Sequence, residues 1–174
     1  NEFNYVICLL EHDNKKYFLD ASRKKMGFGR LPLAVYNGQA RVVDELPLLM
    51  NLSPDSIQET SVVNVSINNT DNGTELEGSV SIDHGYYEST DIRDELDSKT
   101  DSVYFADIEK KFEPVIRIGH KSIDGLKDFE SPLNIYYEFK TDLNEDVLYF
   151  NPMFSEKLKE NPFKSQKREY PVEM

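Results

Sequence analysis

Apolar and polar positions alternate along most of this chain with the period of two that marks β-strands. Residues 4 to 10 are nearly all apolar, the pattern of a strand buried on both faces. EHDNK (11 to 15) has turn chemistry with Asp13-Asn14 at the tip, and KYFLD (16 to 20) returns. Residues 21 to 56 hold Gly27, Gly29, Pro32, Asn37-Gly38, Pro47 and Pro54, so they read as loop with short extended pieces. TSVVNVSI (60 to 67) puts Val63, Val65 and Ile67 on one face. After the turn signal NNTDNG, TELEGSVSI puts Leu76, Val80 and Ile82 on one face.

The period then changes. In YESTDIRDEL, Ile92 and Leu96 lie four apart, with Ser89 or Thr90 as the expected helix N-cap. DSVYFADIEKKF follows, with Asp101 as expected N-cap and Tyr104, Phe105, Ile108 and Phe112 as an apolar stripe, closed by Pro114. Strands resume at 115 to 118, 121 to 126 and 133 to 140. In the last, Leu133, Ile135, Tyr137 and Phe139 oppose Asn134, Tyr136, Glu138 and Lys140. VLYF (147 to 150) reads as a short strand, SEKLKENPF as a helical turn and REYPVEM as a terminal edge strand.

The pattern predicts a mainly β (α+β) fold. It has an antiparallel β-sandwich-like domain with two short helices, preceded by a β-hairpin. Pro54 and the polar run around it place a boundary near 52 to 60, giving segments 1–56 and 57–174. The second is of ordinary domain size.

Composition narrows the function classes. The 174 residues carry 32 acidic and 20 basic side chains, a net charge of −12. Such a surface repels a phosphate backbone. The basic cluster Lys157, Lys159, Lys164, Lys167 and Arg168 is interleaved with Glu156 and Glu160, which reads as a solvated segment rather than a nucleic-acid site. No apolar run is long enough for a transmembrane segment. The single cysteine, Cys8, permits no intrachain disulfide and no cysteine-based metal cage. His12, His84 and His120 are too scattered to predict a zinc site. No phosphate-binding loop or serine elbow is present, so no cofactor is predicted. The first residue is Asn, and a hairpin follows at once, so the expectation is a piece of a longer protein.

With Asp13-Asn14 at the tip, Leu10 faces Tyr17, Cys8 faces Leu19 and Tyr5 faces Ser22. Tyr5 and Asp20 are then diagonal neighbours on one face, and Cys8 points to the other, where it reads as a small buried apolar residue. A base and its orienting carboxylate would occupy such a diagonal. A phenol is a poor base at neutral pH, so spacing alone leaves Asp20 equally open to a structural role. Tyr86, Tyr87 and the Tyr136-Tyr137 pair are candidate binding residues, against the reading that one of each pair packs inward.

FNYVICLLEHDNKKYFLDAS followed by GFGRLPLAVYNGQARVV resembles the final part of bacterial transglutaminase-like proteins of the papain superfamily. There a strand, a turn and an LDAT motif carry the aspartate of a Cys-His-Asp triad. GTELEGSVSIDHGYYESTDIRDEL and the closing NPFKSQKREYPVEM resemble that family's downstream β domain of unknown function. The resemblance implies that Asp20 holds the triad aspartate place and Tyr5 the histidine place, with the nucleophilic cysteine upstream. It implies a periplasmic or cell-envelope address and an upstream transglutaminase-like domain as partner. Arg93 falls in the family's repeated pattern, and the expectation is a buried or half-buried ion pair joining helix to sandwich, not a substrate clamp. The resulting reading is a non-catalytic structural or interaction module. The alternatives are a carbohydrate- or peptide-binding module and a fragment of an active cysteine peptidase or transglutaminase.

Overall fold

A computed structural model of the chain describes residues 5–44, 47–71, 73–112 and 115–143. The strands predicted at 147 to 150 and 168 to 174, the helical turn between them, Pro114 and the basic cluster lie outside the described residues. The chain divides into two compact units, and the change from one to the other falls between Gln58 and Glu59.

The first unit opens with an antiparallel hairpin, β1 (Cys8–His12) and β2 (Lys15–Leu19), in which Cys8 pairs with Leu19 and Leu10 with Tyr17. Its tip is Asp13-Asn14, with φ of 50° and 58°. Two successive left-handed residues make a turn whose twist matches that of the strands, and Asp and Asn tolerate the conformation. The strand is not buried on both faces as its apolar run predicts: Leu10 is 41% exposed and Val6, just before β1, is 91% exposed. Cys8 is exposed too, which corrects its reading as a buried apolar residue. A two-stranded ribbon has faces too narrow to bury each other, so apolar periodicity alone does not bury it. Tyr17 packs at 5.3 Å on the ring of Phe28. A single-turn 3-10 helix (Leu33–Val35) leads into β3 (Gly38–Arg41), which pairs antiparallel with β4 (Leu49–Leu52). Among the described residues here, Leu31 and Leu52 are the buried apolar ones.

The second unit is one antiparallel sheet with two helices. Strands β5 (Val62–Asn69), β6 (Glu75–Asp83), β7 (Arg117–Asp124) and β8 (Asn134–Asp142) lie in the order β5-β6-β8-β7. Helices α1 (Tyr86–Ser98) and α2 (Asp101–Glu109) connect β6 to β7. The registers Val65↔Val80↔Tyr137 and Val63↔Ile82↔Ile135 put the predicted apolar rows on one face. That face meets the helices. Val80, Ile92, Phe105, Ile116, Leu133, Ile135, Tyr137 and Phe139 form the core, with Leu96, Ile108 and Phe112 against it. Phe105 stands edge-on to Tyr137 with ring centres 6.2 Å apart, a favoured aromatic geometry. The mainly β, α+β class is thus seen. Within this unit the described residues give a sheet with a helical layer on one face.

Gly78 has a specific task in this sheet. A Cβ there would collide with the Ser66 carbonyl and come within 2.7 Å of the Phe139 ring. The missing side chain leaves room for the Phe139 ring.

The helix starts differ from expectation. The N-cap of α1 is Gly85, and Ser89 and Thr90 lie inside the helix. Their hydroxyls donate back to the carbonyls of Gly85 (2.6 Å) and Tyr86 (3.1 Å). The capping acceptor comes from outside the helix: Glu59 Oε1 accepts the amides of Tyr87 (2.6 Å) and Glu88 (3.0 Å). In α2 the cap is Thr100, one residue before the predicted Asp101, and its hydroxyl accepts from the Val103 amide. The strands predicted at 115 to 118 and 121 to 126 are one strand, β7, whose register shifts between Ile118 and Lys121.

Candidate functional site

The predicted pair is brought together. The Tyr5 hydroxyl donates to Asp20 Oδ2 at 2.6 Å and sits 2.7 Å from Ser22 Oγ. The Ser22 amide donates to Asp20 Oδ1 at 2.8 Å. The turn after β2 therefore folds the backbone onto its own carboxylate, an Asx-type arrangement. Both carboxylate oxygens receive donors. Partial burial works to raise the pKa of Asp20, but the hydrogen bonds from Tyr5 and Ser22 outweigh it and hold it below the usual carboxylate range. Asp20 is an anchored anion, and the group on it is a phenol. Cys8 pairs with Leu19, one residue before Asp20, and successive strand residues point to opposite faces.

The tyrosines proposed for binding separate into two kinds. Tyr87 and Tyr137 are buried, at 8% and 1% exposure. Burial pushes the Tyr137 hydroxyl far above its ordinary pKa. Tyr86 is half-buried, sits edge-on to Tyr87, and donates its hydroxyl to the Phe129 carbonyl at 3.1 Å. Tyr136 is half-buried on the sheet face away from the helices, where its hydroxyl donates to Glu138 at 3.0 Å. That hydrogen bond raises its pKa first, with burial second. The His120 ring lies 6.0 Å from it.

The same face carries an open groove of about 490 Å³, lined by Ser66, Asn68, Glu77, Arg117, Tyr136 and Lys140 among others. Several of its charges are paired. Arg117 forks onto both oxygens of Asp142, at 2.7 and 2.9 Å, and onto Glu75 at 2.7 Å. Lys140 lies 3.6 Å from Glu77. The hydrogen bond from Arg117 holds Asp142 below the ordinary carboxylate range. The outward alternation of β8 already puts Tyr136, Glu138 and Lys140 on this face. Arg117 is legible only once the bulge in β7 fixes its register.

Arg93 is buried, at 1% exposure. Its Nη2 donates to the carbonyls of Gly125 (3.0 Å), Asp128 (2.7 Å) and Ser131 (2.7 Å), and the guanidinium lies 5.8 Å from the Phe129 ring. The hydrogen bonds of Nη2 gather three carbonyls of the loop between β7 and β8. A rigid fork of donors suits that task. Arg93 is a positioning residue for the loop.

His84 is buried where β6 passes into α1, and its Nδ1 lies 3.0 Å from Glu88 Oε2. The histidine hydrogen bond holds Glu88 below its usual range, against its partial burial. Among the described residues, no group of three or more His, Cys, Asp and Glu side chains is placed to hold a metal ion. No described helix is long and apolar enough to cross a membrane. No protein-family model, no curated protein and no solved structure matches the chain.

Proposed function

We propose that this chain is a non-catalytic structural and interaction module, the C-terminal end of a transglutaminase-like exported bacterial protein. The observation that carries the reading is the state of Asp20. In a Cys-His-Asp triad the carboxylate orients an imidazole and stabilises the imidazolium. Here one carboxylate oxygen holds a phenol at 2.6 Å and the other a backbone amide at 2.8 Å. A phenol that donates to a carboxylate ties down a turn; it has no free lone-pair nitrogen with which to take a proton from a thiol. Asp20 on this reading serves the fold of the hairpin. The test is acyl transfer and amide hydrolysis by the purified chain, with a glutamine-containing peptide and a primary amine as substrates. Product formation should equal the buffer blank. Turnover that disappears in Asp20→Asn would overturn the reading.

A second reading, a carbohydrate- or peptide-binding module, is favoured by the groove beside Tyr136. Of the tyrosines considered for binding, Tyr136 is the one on that face. Chemical-shift changes confined to β8 and β7 on adding oligosaccharide or peptide would support this reading, and their absence would count against it.

A further inference from the structure

The four-stranded sheet ends differently on its two sides. At one edge, β7 carries Arg117, Lys121 and Asp124 and shifts register between Ile118 and Lys121. The Ile118 amide is occupied by the Glu109 carboxylate at 2.6 Å. Charges, a bulge and a capped amide all keep an edge from pairing with another chain. At the other edge, β5 reads VVNVSINN, eight residues without a charge or a proline. Among the described strands it has β6 on one side and no neighbour on the other. Val62, Val63 and Val65 are 46%, 37% and 37% exposed. Ile67 packs against the core cluster, but Val63 and Val65, on the same face, remain open.

We propose that β5 is a self-pairing edge. A second copy of this chain docks antiparallel against it and makes one eight-stranded sheet across a two-fold axis. Identical antiparallel strands form an isologous contact, in which each residue and its partner exchange places. Facing residues must lie on the same face of the sheet, so the axis passes through a residue and not between two. With the axis at Val65, that residue faces its own copy, and Val63 faces Ile67 of the second copy. On the open face Asn64 meets Ser66 and Val62 meets Asn68. Both open valines gain β-branched neighbours, a favourable cross-strand pairing. Within β5 no charge in this register meets a like charge, which matters for a chain of net charge −12. A charged peptide finds no counter-charge on β5, whereas an uncharged strand of the same pattern matches it. The inference is independent of what Asp20 does.

The test is the mass of the full chain in solution, by sedimentation velocity and light scattering from low to high micromolar concentration. The expected species is a dimer of twice 20.2 kDa. Val65→Lys sets like charges across the axis and should weaken association by at least about tenfold. A second variant does not depend on Val65→Lys folding. In a Cys8→Ser background, Val65→Cys should form a disulfide-linked dimer on mild oxidation, because facing residues of an antiparallel pair come within disulfide reach. Asp124→Cys, on the opposite edge, should not. A wild-type chain that stays monomeric, or that pairs only with an added extended peptide, overturns the proposal. So does equal cross-linking from Asp124→Cys.

Discussion

The hydroxyl of Tyr5 is 2.6 Å from Asp20 Oδ2, and the amide of Ser22 is 2.8 Å from the other oxygen of the same carboxylate. One acid therefore joins the segment before β1 to the turn after β2. Removing it as Asp20→Ala frees the Ser22 amide from a charged acceptor. A hydrogen bond to a charged group contributes roughly 1.5 kcal/mol or more, so the Ser22 amide should exchange with solvent about tenfold faster. Hydrogen-exchange NMR measures this directly. Unchanged protection would show that Asp20 does not hold the turn.

Glu59 caps a helix from 28 residues before the amide it accepts, Tyr87. A carboxylate at a helix N-terminus satisfies otherwise unbonded amides and complements the dipole. Glu59→Ala should destabilise the second unit by about 1 kcal/mol, and Glu59→Gln by less, since the amide oxygen still accepts. Gly85→Ala should also destabilise, because its Cβ would collide with the Glu59 side chain. The Glu59→Ala, Gly85→Ala double variant should then lose less than the sum of its parts. Urea denaturation of the four variants checks all of this.

Arg93 gathers three carbonyls of the 125–131 loop through one nitrogen. Arg93→Leu leaves three part-buried acceptors without that donor and should cost about 2 kcal/mol. Arg93→Lys keeps the charge but not the planar fork, so it should fall between the two. Thermal unfolding gives the ranking. Equal stability for Arg93→Leu and wild type would exclude the positioning role.

Several carboxylates are held below their ordinary pKa in the folded chain, among them Asp142 beside Arg117 and Glu88 beside His84. A depressed carboxylate adds stability above its unfolded pKa of about 4 and loses it as pH falls through the lower folded value. Stability should therefore drop steeply below about pH 4. Asp142→Asn removes one such group and should flatten the acid limb of the melting-temperature profile. Both partners are about half exposed, so the change is modest.

Much of this architecture could be read from alternation alone. The register of β8, with Leu133, Ile135, Tyr137 and Phe139 inward, appears in the structure as the pattern has it. The Asp13-Asn14 tip and the Tyr5–Asp20 diagonal follow from turn chemistry and strand parity. What escaped were effects that depend on distant partners. Ser89 and Thr90 look like caps, but Glu59 supplies the cap and their hydroxyls turn back into the helix. The apolar run at 4 to 10 looks like core, but burial depends on what lies across its faces. Nothing near Arg93 in the sequence shows that its Nη2 gathers three carbonyls of a loop more than thirty residues further on. Periodicity reports which side chains share a face; it does not report what meets that face.

The central claim is that Asp20 is an ionised anchor tied down by Tyr5, and carbon-detected NMR can test it by titrating the Asp20 carboxylate in wild type and in Tyr5→Phe. The account predicts a wild-type pKa below the ordinary aspartate value, moving upward when the phenol oxygen is removed. A wild-type pKa at or above the ordinary value, unmoved by Tyr5→Phe, would contradict it.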